Sequence, residues 1–246
     1  MLPVVQIGPA AIQLPGLCVL AGLWIGANLV EKSALRHQIS APRLTTLILV
    51  GLVSAILGAR LGYALRHLNV YVDSPGGLLS LDPGTLAVEE GVLMGLIGSL
   101  VYATRQRLPM WPTLDVLTPG LAVFGVALGF SHLAAGDAYG TPATIPWAIE
   151  LWGELRHPSQ VYEIAAGAGI LGAVLWADGR FPFEGFIFLM WVGLAALSRL
   201  FLEAFRGDSS VLVGSVRSAQ VVSLVVLIAA MAALRWKAGS SIQQIS

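Results

Sequence analysis

Long apolar runs dominate this sequence and leave little choice of fold. About seven of them lie near Leu14–Val30, Leu44–Leu65, Val88–Ala103, Val116–Leu133, Gln160–Trp176, Gly185–Phe205 and Ala219–Leu234. Each is long enough, or nearly so, to cross a hydrocarbon core of about 30 Å as an α-helix. Inside lipid the backbone N–H and C=O groups must be satisfied within the segment, which favours helices over open strands. The expected fold class is all-α: a polytopic membrane protein of about seven transmembrane helices, one integral membrane domain over residues 1–246. The third run is short and Gly-rich, with Glu89 and Glu90 at its start, so a tilted or re-entrant course is open there. Composition agrees. Only 11% of residues are charged and mean hydropathy is +0.79, whereas a soluble domain carries about 25% charged residues.

The formal net charge is zero, which argues against a nucleic-acid partner. Cys18 is the only cysteine, so an internal disulfide and a Cys-based metal site are both excluded. The first residues, MLPVVQIGPA, carry no basic flank, so the first run is expected to stay as a span rather than be cleaved as a signal peptide. Lys and Arg set the expected orientation. Lys32, Arg36 and Arg43 follow the first run, Arg105 and Arg107 the third, Arg180 the fifth, and Arg235 and Lys237 the last; Arg66, Arg156 and Arg217 fall on the opposite side. This bias places the N-terminus outside and the C-terminus in the cytoplasm. The pairs Gly58/Gly62 and Gly125/Gly129 are small-xxx-small signals for close helix contact. The stretch from Asn69 to Gly84, with DSPGG and LDPG, and residues 136–155 read as loops with turns.

Ionisable residues within apolar runs are the informative ones. A charge at mid-bilayer costs roughly 2.5–3.5 kcal/mol even on lenient scales, so it faces a partner or a wet cavity. In GARLGYALRHL, Arg60 lies deep in the second run, with Tyr63 three residues on and on the same face. In SRLFLEAFRGD, Arg199, Glu203 and Arg206 form one helical stripe. Two readings stay open for that stripe: a structural Arg199–Glu203 pair, or a net-positive site for phosphate, which Arg grips in a bidentate fork. A third polar cluster, RHPSQVYE at 156–163, precedes an apolar helix. Pro158 and Ser159 fit a helix N-terminus, and Glu163 is expected in its first turn. Capping leaves Arg156, His157, Gln160 and Tyr162 unexplained, so these are expected to form a polar network at the membrane surface. With the expected orientation, all three clusters converge on the outer leaflet, which suggests a phospholipid head group as ligand.

GARLGYAL, RHPSQVYE and SRLFLEAFR resemble, in that order, motifs of the bacterial prolipoprotein diacylglyceryl transferases. GDAYGTPATIPWAI is similar to that family's Gly-rich stretch, and SAQVVSL, with Gln220, to the start of its last span; the resemblance covers roughly residues 14–235. It implies a multi-pass protein of the bacterial cytoplasmic (inner) membrane with no metal and no organic cofactor. The implied reaction moves diacylglyceryl from phosphatidylglycerol, or another anionic phospholipid, to a lipobox cysteine thiol of a prolipoprotein, with glycerol phosphate leaving. By resemblance, Arg199 and Glu203 match the family's essential pair in the sixth span, Arg60 the Arg of its Gly-Arg-Ile-Gly-Tyr type motif, and Gly140 the Gly that closes its signature stretch.

The sequence also departs from that pattern. Leu93 stands where the family has His, Pro15 where it has Tyr, Gly129 where it has Arg, His132 where it has Asn and Asp137 where it has Glu. Expected catalytic groups are Arg199 and Glu203, with His132 or His157 as base. Lipid phosphate is assigned to Arg60, Arg199, Arg206 and Arg156, and support to Tyr63, Ser159, Gln160, Tyr162, Glu163, Asp137, Gly140 and Gln220. Two other readings stay open: a catalytically altered or inactive homologue that binds a head group or a protein partner, and, from another class, a small-molecule transporter. Transporters usually show paired repeats with broken helices, and neither is evident in the sequence.

Overall fold

Runs of Leu, Val, Ala and Gly with so few charges form helices because only a helix closes its own hydrogen bonds in an apolar medium. A computed structural model bears this out; it describes all residues except 1–3, 8–9, 74–75, 78–82, 181–182, 215 and 244–246. The long helices are α1 (Leu14–Arg36), α2 (Ala41–Arg66), α4 (Val88–Arg105), α5 (Met110–Ala135), α6 (Ser159–Ala177), α7 (Phe186–Leu202) and α8 (Ser218–Gln243), with a short α3 (Leu68–Asp73). Among the described residues, antiparallel strand pairs β3–β4 (Ile149–Leu151, Glu154–Arg156) and β5–β6 (Val211–Val213, Val216–Arg217) lie between α5 and α6 and between α7 and α8, and β1–β2 (Val4–Ile7, Ala10–Gln13) precedes α1. All the long helices except α4 are long and apolar enough to cross a membrane. The α4 helix has 18 residues and carries Glu89 and Glu90 in its first turn and Arg105 in its last. That placement complements the helix dipole. Leu20, Trp24, Ile56, Leu57, Leu61, Val225 and Ile228 are exposed on helix surfaces, as lipid-facing side chains are.

Six of the seven long helices overrun the expected spans, by up to nine residues at an end of α8, whereas α7 stops three residues short of its expected end at Phe205. Pro119 lies inside α5. The expected loop at 136–155 contains β3 and leads into β4. The expected loop at 69–84 holds most of α3 and the start of a 3-10 turn at Pro83–Thr85, while Ser74, Pro75, Leu81 and Asp82 of its DSPGG and LDPG turns lie outside the described residues.

The chain divides into two compact units, residues 38–113 and the remainder. Within residues 38–113, α2 and α4 pack antiparallel through small residues. Gly58 and Gly62 of α2 face Met94 and Glu90, and Gly91 and Gly95 of α4 face Ala59 and Ala55, as the Gly58/Gly62 spacing predicts. The Gly125/Gly129 expectation holds at one position only: Gly129 lies against Ile164 of α6, and Gly125 has nothing near it. The close α5 contact is instead made by Gly120, which meets Gly26 of α1.

In the other unit, Ala122, Val174 and Ile187 join α5, α6 and α7 in a buried core with Ile170, Leu171, Phe186, Met190 and Trp191 around it. One end of this unit is pinned by two carboxylates that the sequence reading passed over. Asp115 of α5 accepts the Gly185 and Phe188 backbone N–H groups, at 2.5 and 2.9 Å, and so caps α7. Asp178, just past α6, accepts Ser33 Oγ at 2.9 Å and Arg36 Nη1 at 2.7 Å, and lies 3.0 Å from His37 Nε2.

Burial opposes ionisation of Asp178, but the His37, Ser33 and Arg36 hydrogen bonds and the charge of His37 outweigh it, so its pKa falls below 3.8. The hydrogen bond to Asp178 holds His37 above 6.5, against the opposing effect of its own burial. The signs follow from linkage. Asp178 contributes stability that is present above 3.8 and lost as pH falls through its depressed folded value. His37 contributes stability that is present below 6.5 and lost as pH rises through its elevated folded value. The melting temperature of the detergent-solubilised protein should therefore decline as pH rises above 6.5. His37→Gln should flatten that alkaline decline; an unchanged profile would remove His37 from the linkage.

Candidate functional site

The opposite end of the same unit gathers the end of α5, the start of α6, the end of α7 and the segment after it. RHPSQVYE builds much of this end, though not by capping. The α6 helix begins at Ser159 with Pro158 as its N-cap and no side-chain cap bond. Ser159 Oγ donates to the Ala138 carbonyl at 2.5 Å and Gln160 Nε2 to the Asp137 carbonyl at 2.8 Å. Both residues are fully buried, so they staple the 137–138 backbone onto α6. Arg156 completes the staple. It donates to the Leu151 and Gly140 carbonyls at 3.2 Å each, pairs with Glu154 at 2.5 Å, and lies over the Tyr139 ring.

Gly140 has to be glycine. Its Cβ position is filled by the backbone carbonyl of His157, with the His157 Cβ also inside van der Waals distance. The His157 N–H donates to Thr141 O, and the Thr141 N–H to Phe205 O, so three segments meet there without side-chain spacers. The His157 ring packs at a tilt against Phe205, centroids 5.1 Å apart, and edge-on to Tyr162, centroids 6.2 Å apart. The Tyr162 hydroxyl accepts the Trp147 indole N–H at 2.8 Å.

Glu163 lies one turn further into α6 than a capping role requires, and it is the hub of the charged cluster. Its Oε1 accepts from Arg206 Nη1 at 2.8 Å and, more weakly, from Arg199 Nη1 at 3.5 Å; its Oε2 is 3.0 Å from His132 Nδ1. Arg199 Nε also lies 2.9 Å from Glu203 Oε2. Neither Glu203 oxygen has a hydrogen bond of good alignment among the described residues, and the carboxylate is fully buried. Glu203 heads a 3-10 turn, Glu203–Phe205, that ends the α7 stripe and turns Arg206 back toward α6. Arg206 is held on its other side by a bidentate pair with Asp208, at 2.9 and 2.8 Å. The Arg217 guanidinium donates to the Arg206 carbonyl and to Ser209. Gln220 Oε1 accepts the Arg217 backbone N–H at 3.1 Å and so secures the start of α8.

This geometry changes the expected electrostatics. The stripe Arg199–Glu203–Arg206 taken alone has a positive excess. With Glu163 and Asp208 added, two guanidiniums face three carboxylates. Arg206 and Arg156 are committed to carboxylates and carbonyls, so both act as scaffold. Arg199 is 42% exposed at its side chain, and its Nη2 has no partner among the described residues. It is the guanidinium of this cluster left to meet an anion. Asp137 is exposed, and only its backbone takes part in the hydrogen bonds around it.

In the unit of residues 38–113, Arg60 Nη1 donates to the Thr85 carbonyl at 3.1 Å and to the Thr85 hydroxyl. Tyr63 stacks on His67, centroids 4.2 Å apart. Tyr63, Arg66, His67, Glu89 and Glu90 line an open depression of about 370 Å³. Arg66 is already paired there with Glu90, so the depression offers no free cation of its own. Among the described residues, no group of three or more His, Cys, Asp or Glu side chains is placed to hold a metal ion.

The family model described as prolipoprotein diacylglyceryl transferase matches residues 3–236, nearly the whole chain. The chain belongs to this family. Phosphatidylglycerol–prolipoprotein diacylglyceryl transferases among its relatives include one from Trichormus variabilis, 28% identical over 94% of this chain and 88% of the relative. Another, from Finegoldia magna, is 30% identical over 87% of this chain and 86% of its own. A third, from Gloeobacter violaceus, is 28% identical over 95% and 91%. Within a diacylglyceryl transferase scaffold, the charged end of α5, α6 and α7 is where RHPSQVYE and SRLFLEAFR meet. Both stretches were legible as motifs. The hub role of Glu163 was not, because its partners come from three other segments. The hold of Asp208 on Arg206 was missed too; its only signal was an acidic residue two positions past the last Arg of the stripe.

Proposed function

We propose that this protein is a phospholipid-dependent diacylglyceryl transferase of the bacterial cytoplasmic membrane. It takes diacylglyceryl from phosphatidylglycerol and passes it to the lipobox cysteine thiol of a prolipoprotein. The observation that carries the reading is the Arg199–Glu163–Arg206–Glu203 cluster at one end of three membrane-length helices. Such a cluster is costly in lipid unless it serves a function. Displacing glycerol phosphate develops negative charge on the departing oxygen, and a fixed guanidinium in a low-dielectric site stabilises it. Arg199 is oriented for that task by Glu203 along its own helix and by Glu163 across from α6.

The orientation read from Lys and Arg puts this end of the unit at the outer face. The chain is best understood as one membrane domain with α4 as a further span.

The test is purified protein in nanodiscs containing phosphatidylglycerol, with a lipobox peptide as acceptor. The expected result is a peptide gaining one diacylglyceryl group through a thioether, with one glycerol phosphate released per peptide. Head-group binding without product would favour a catalytically altered homologue. Uptake of labelled solute into proteoliposomes would favour a transporter.

A further inference from the structure

His132 stands in the last turn of α5 and Glu163 in the second turn of α6. Their 3.0 Å contact joins His132 Nδ1 to an oxygen of a carboxylate that also takes a hydrogen bond from Arg206. An ionised carboxylate only accepts, so the ring hydrogen belongs on Nδ1 and Nε2 presents its lone pair. Behind the ring, Asp208 holds Arg206, Arg206 holds Glu163, and Glu163 holds His132. Gly129, three residues before His132, makes the approach possible. A Cβ there would sit 2.8 Å from Ile164 Cγ1, so a side chain at this position requires Ile164, the residue next to Glu163, to shift. The His132 side chain remains 35% exposed, which leaves Nε2 reachable.

His157 lacks this arrangement. Its Nδ1 is 3.5 Å from the Tyr162 hydroxyl, and its ring is packed on Phe205.

We propose that His132, positioned by Glu163, is the general base that takes the proton from the acceptor thiol. The proposal rests on the transferase reading above and adds the proton acceptor to it. The Sγ–H proton moves to His132 Nε2, and the sulfur electron pair forms a bond to the glyceryl carbon that bears the phosphate. The C–O bond breaks, and its electron pair leaves on the glycerol phosphate oxygen beside Arg199. The imidazolium, held by Glu163, then returns its proton to the phosphate or to water. His132 is the catalytic residue here, and Glu163 is a positioning residue.

The experiment compares two lipobox peptides, one with cysteine and one with selenocysteine, on the full chain in phosphatidylglycerol nanodiscs. A selenol is already ionised at neutral pH and needs no base. His132→Gln should slow the thiol peptide by about 10²–10⁴-fold, the range a general base supplies. The selenol peptide should stay within about tenfold of wild type on the same scale. Glu163→Gln, which keeps the side-chain volume, should move the selenol-to-thiol rate ratio in the same direction. Folding of each variant is checked by its melting temperature. Equal loss on both peptides by a folded His132→Gln protein overturns the base assignment alone, as does an unchanged thiol rate. A wild type silent on both peptides overturns the transferase reading, and this assignment falls with it.

Discussion

Arg199→Ala should lower thioether formation by about 10²–10³-fold, the cost of removing one preorganised donor from a site of developing negative charge. The loss should fall mainly on kcat. Phosphatidylglycerol is already an anion before reaction, but the charge that Arg199 meets grows as the C–O bond breaks. Arg199→Lys should recover only part of the rate, because a point charge lacks the fork that spans Glu203, Glu163 and a phosphate oxygen together. Removing Arg199 also leaves the buried Glu203 carboxylate without its ion pair. Breaking a buried pair costs about 3–5 kcal/mol, and the 42% exposure of the Arg199 side chain moderates that cost. The double variant Arg199→Ala/Glu203→Gln should therefore melt higher than the single variant while staying inactive. Wild-type turnover by either variant, measured as diacylglyceryl-peptide product, would take Arg199 out of the mechanism.

Gly140→Val should damage the protein more broadly. The first added carbon already falls on the His157 carbonyl, and the obstacle is backbone, which cannot rotate away. Overpacking costs about 1–3 kcal/mol where side chains can yield, and more where they cannot. We expect a clear fall in melting temperature together with loss of transfer. The strands and turns joined at Gly140, Thr141, His157 and Phe205 carry Glu163 and Arg206 into register. Gly140→Ala should show a smaller effect of the same kind. A Val variant with wild-type stability and rate would mean that the His157 segment moves aside freely and does not position the site.

Much of the architecture was legible beforehand for simple reasons. A helix-length apolar run has one good structure in lipid, so spans could be located from length and hydropathy alone. Gly58 and Gly62 were readable as a contact face because small residues at a spacing of four make a groove whatever fills it. The site was readable only in part. Arg199 and Glu203 share a helix, so their pairing follows from a spacing of four. Glu163 looked like a capping residue because its neighbours in sequence are Pro158 and Ser159, while its neighbours in space come from α5, the end of α7 and the turn beyond it. The positive excess expected at that end disappears for the same reason: Glu163 and Asp208 are 36 and 9 residues from Arg199 in sequence and meet the cluster only through folding.

Local and linear features thus came from the sequence by itself: membrane-length helices, small-residue faces, the Arg–Glu stripe of α7, and membership of a lipid transferase family through RHPSQVYE and its companion motifs. The tertiary structure decided which charges are free and which are neutralised. It commits Arg206 and Arg156 to the scaffold, leaves Arg199 open, and gives His132 the carboxylate partner that His157 lacks. The reason is physical. In a low-dielectric interior the role of an ionisable group depends on the two or three groups within about 4 Å of it, and those neighbours are chosen by helix packing rather than by position along the chain.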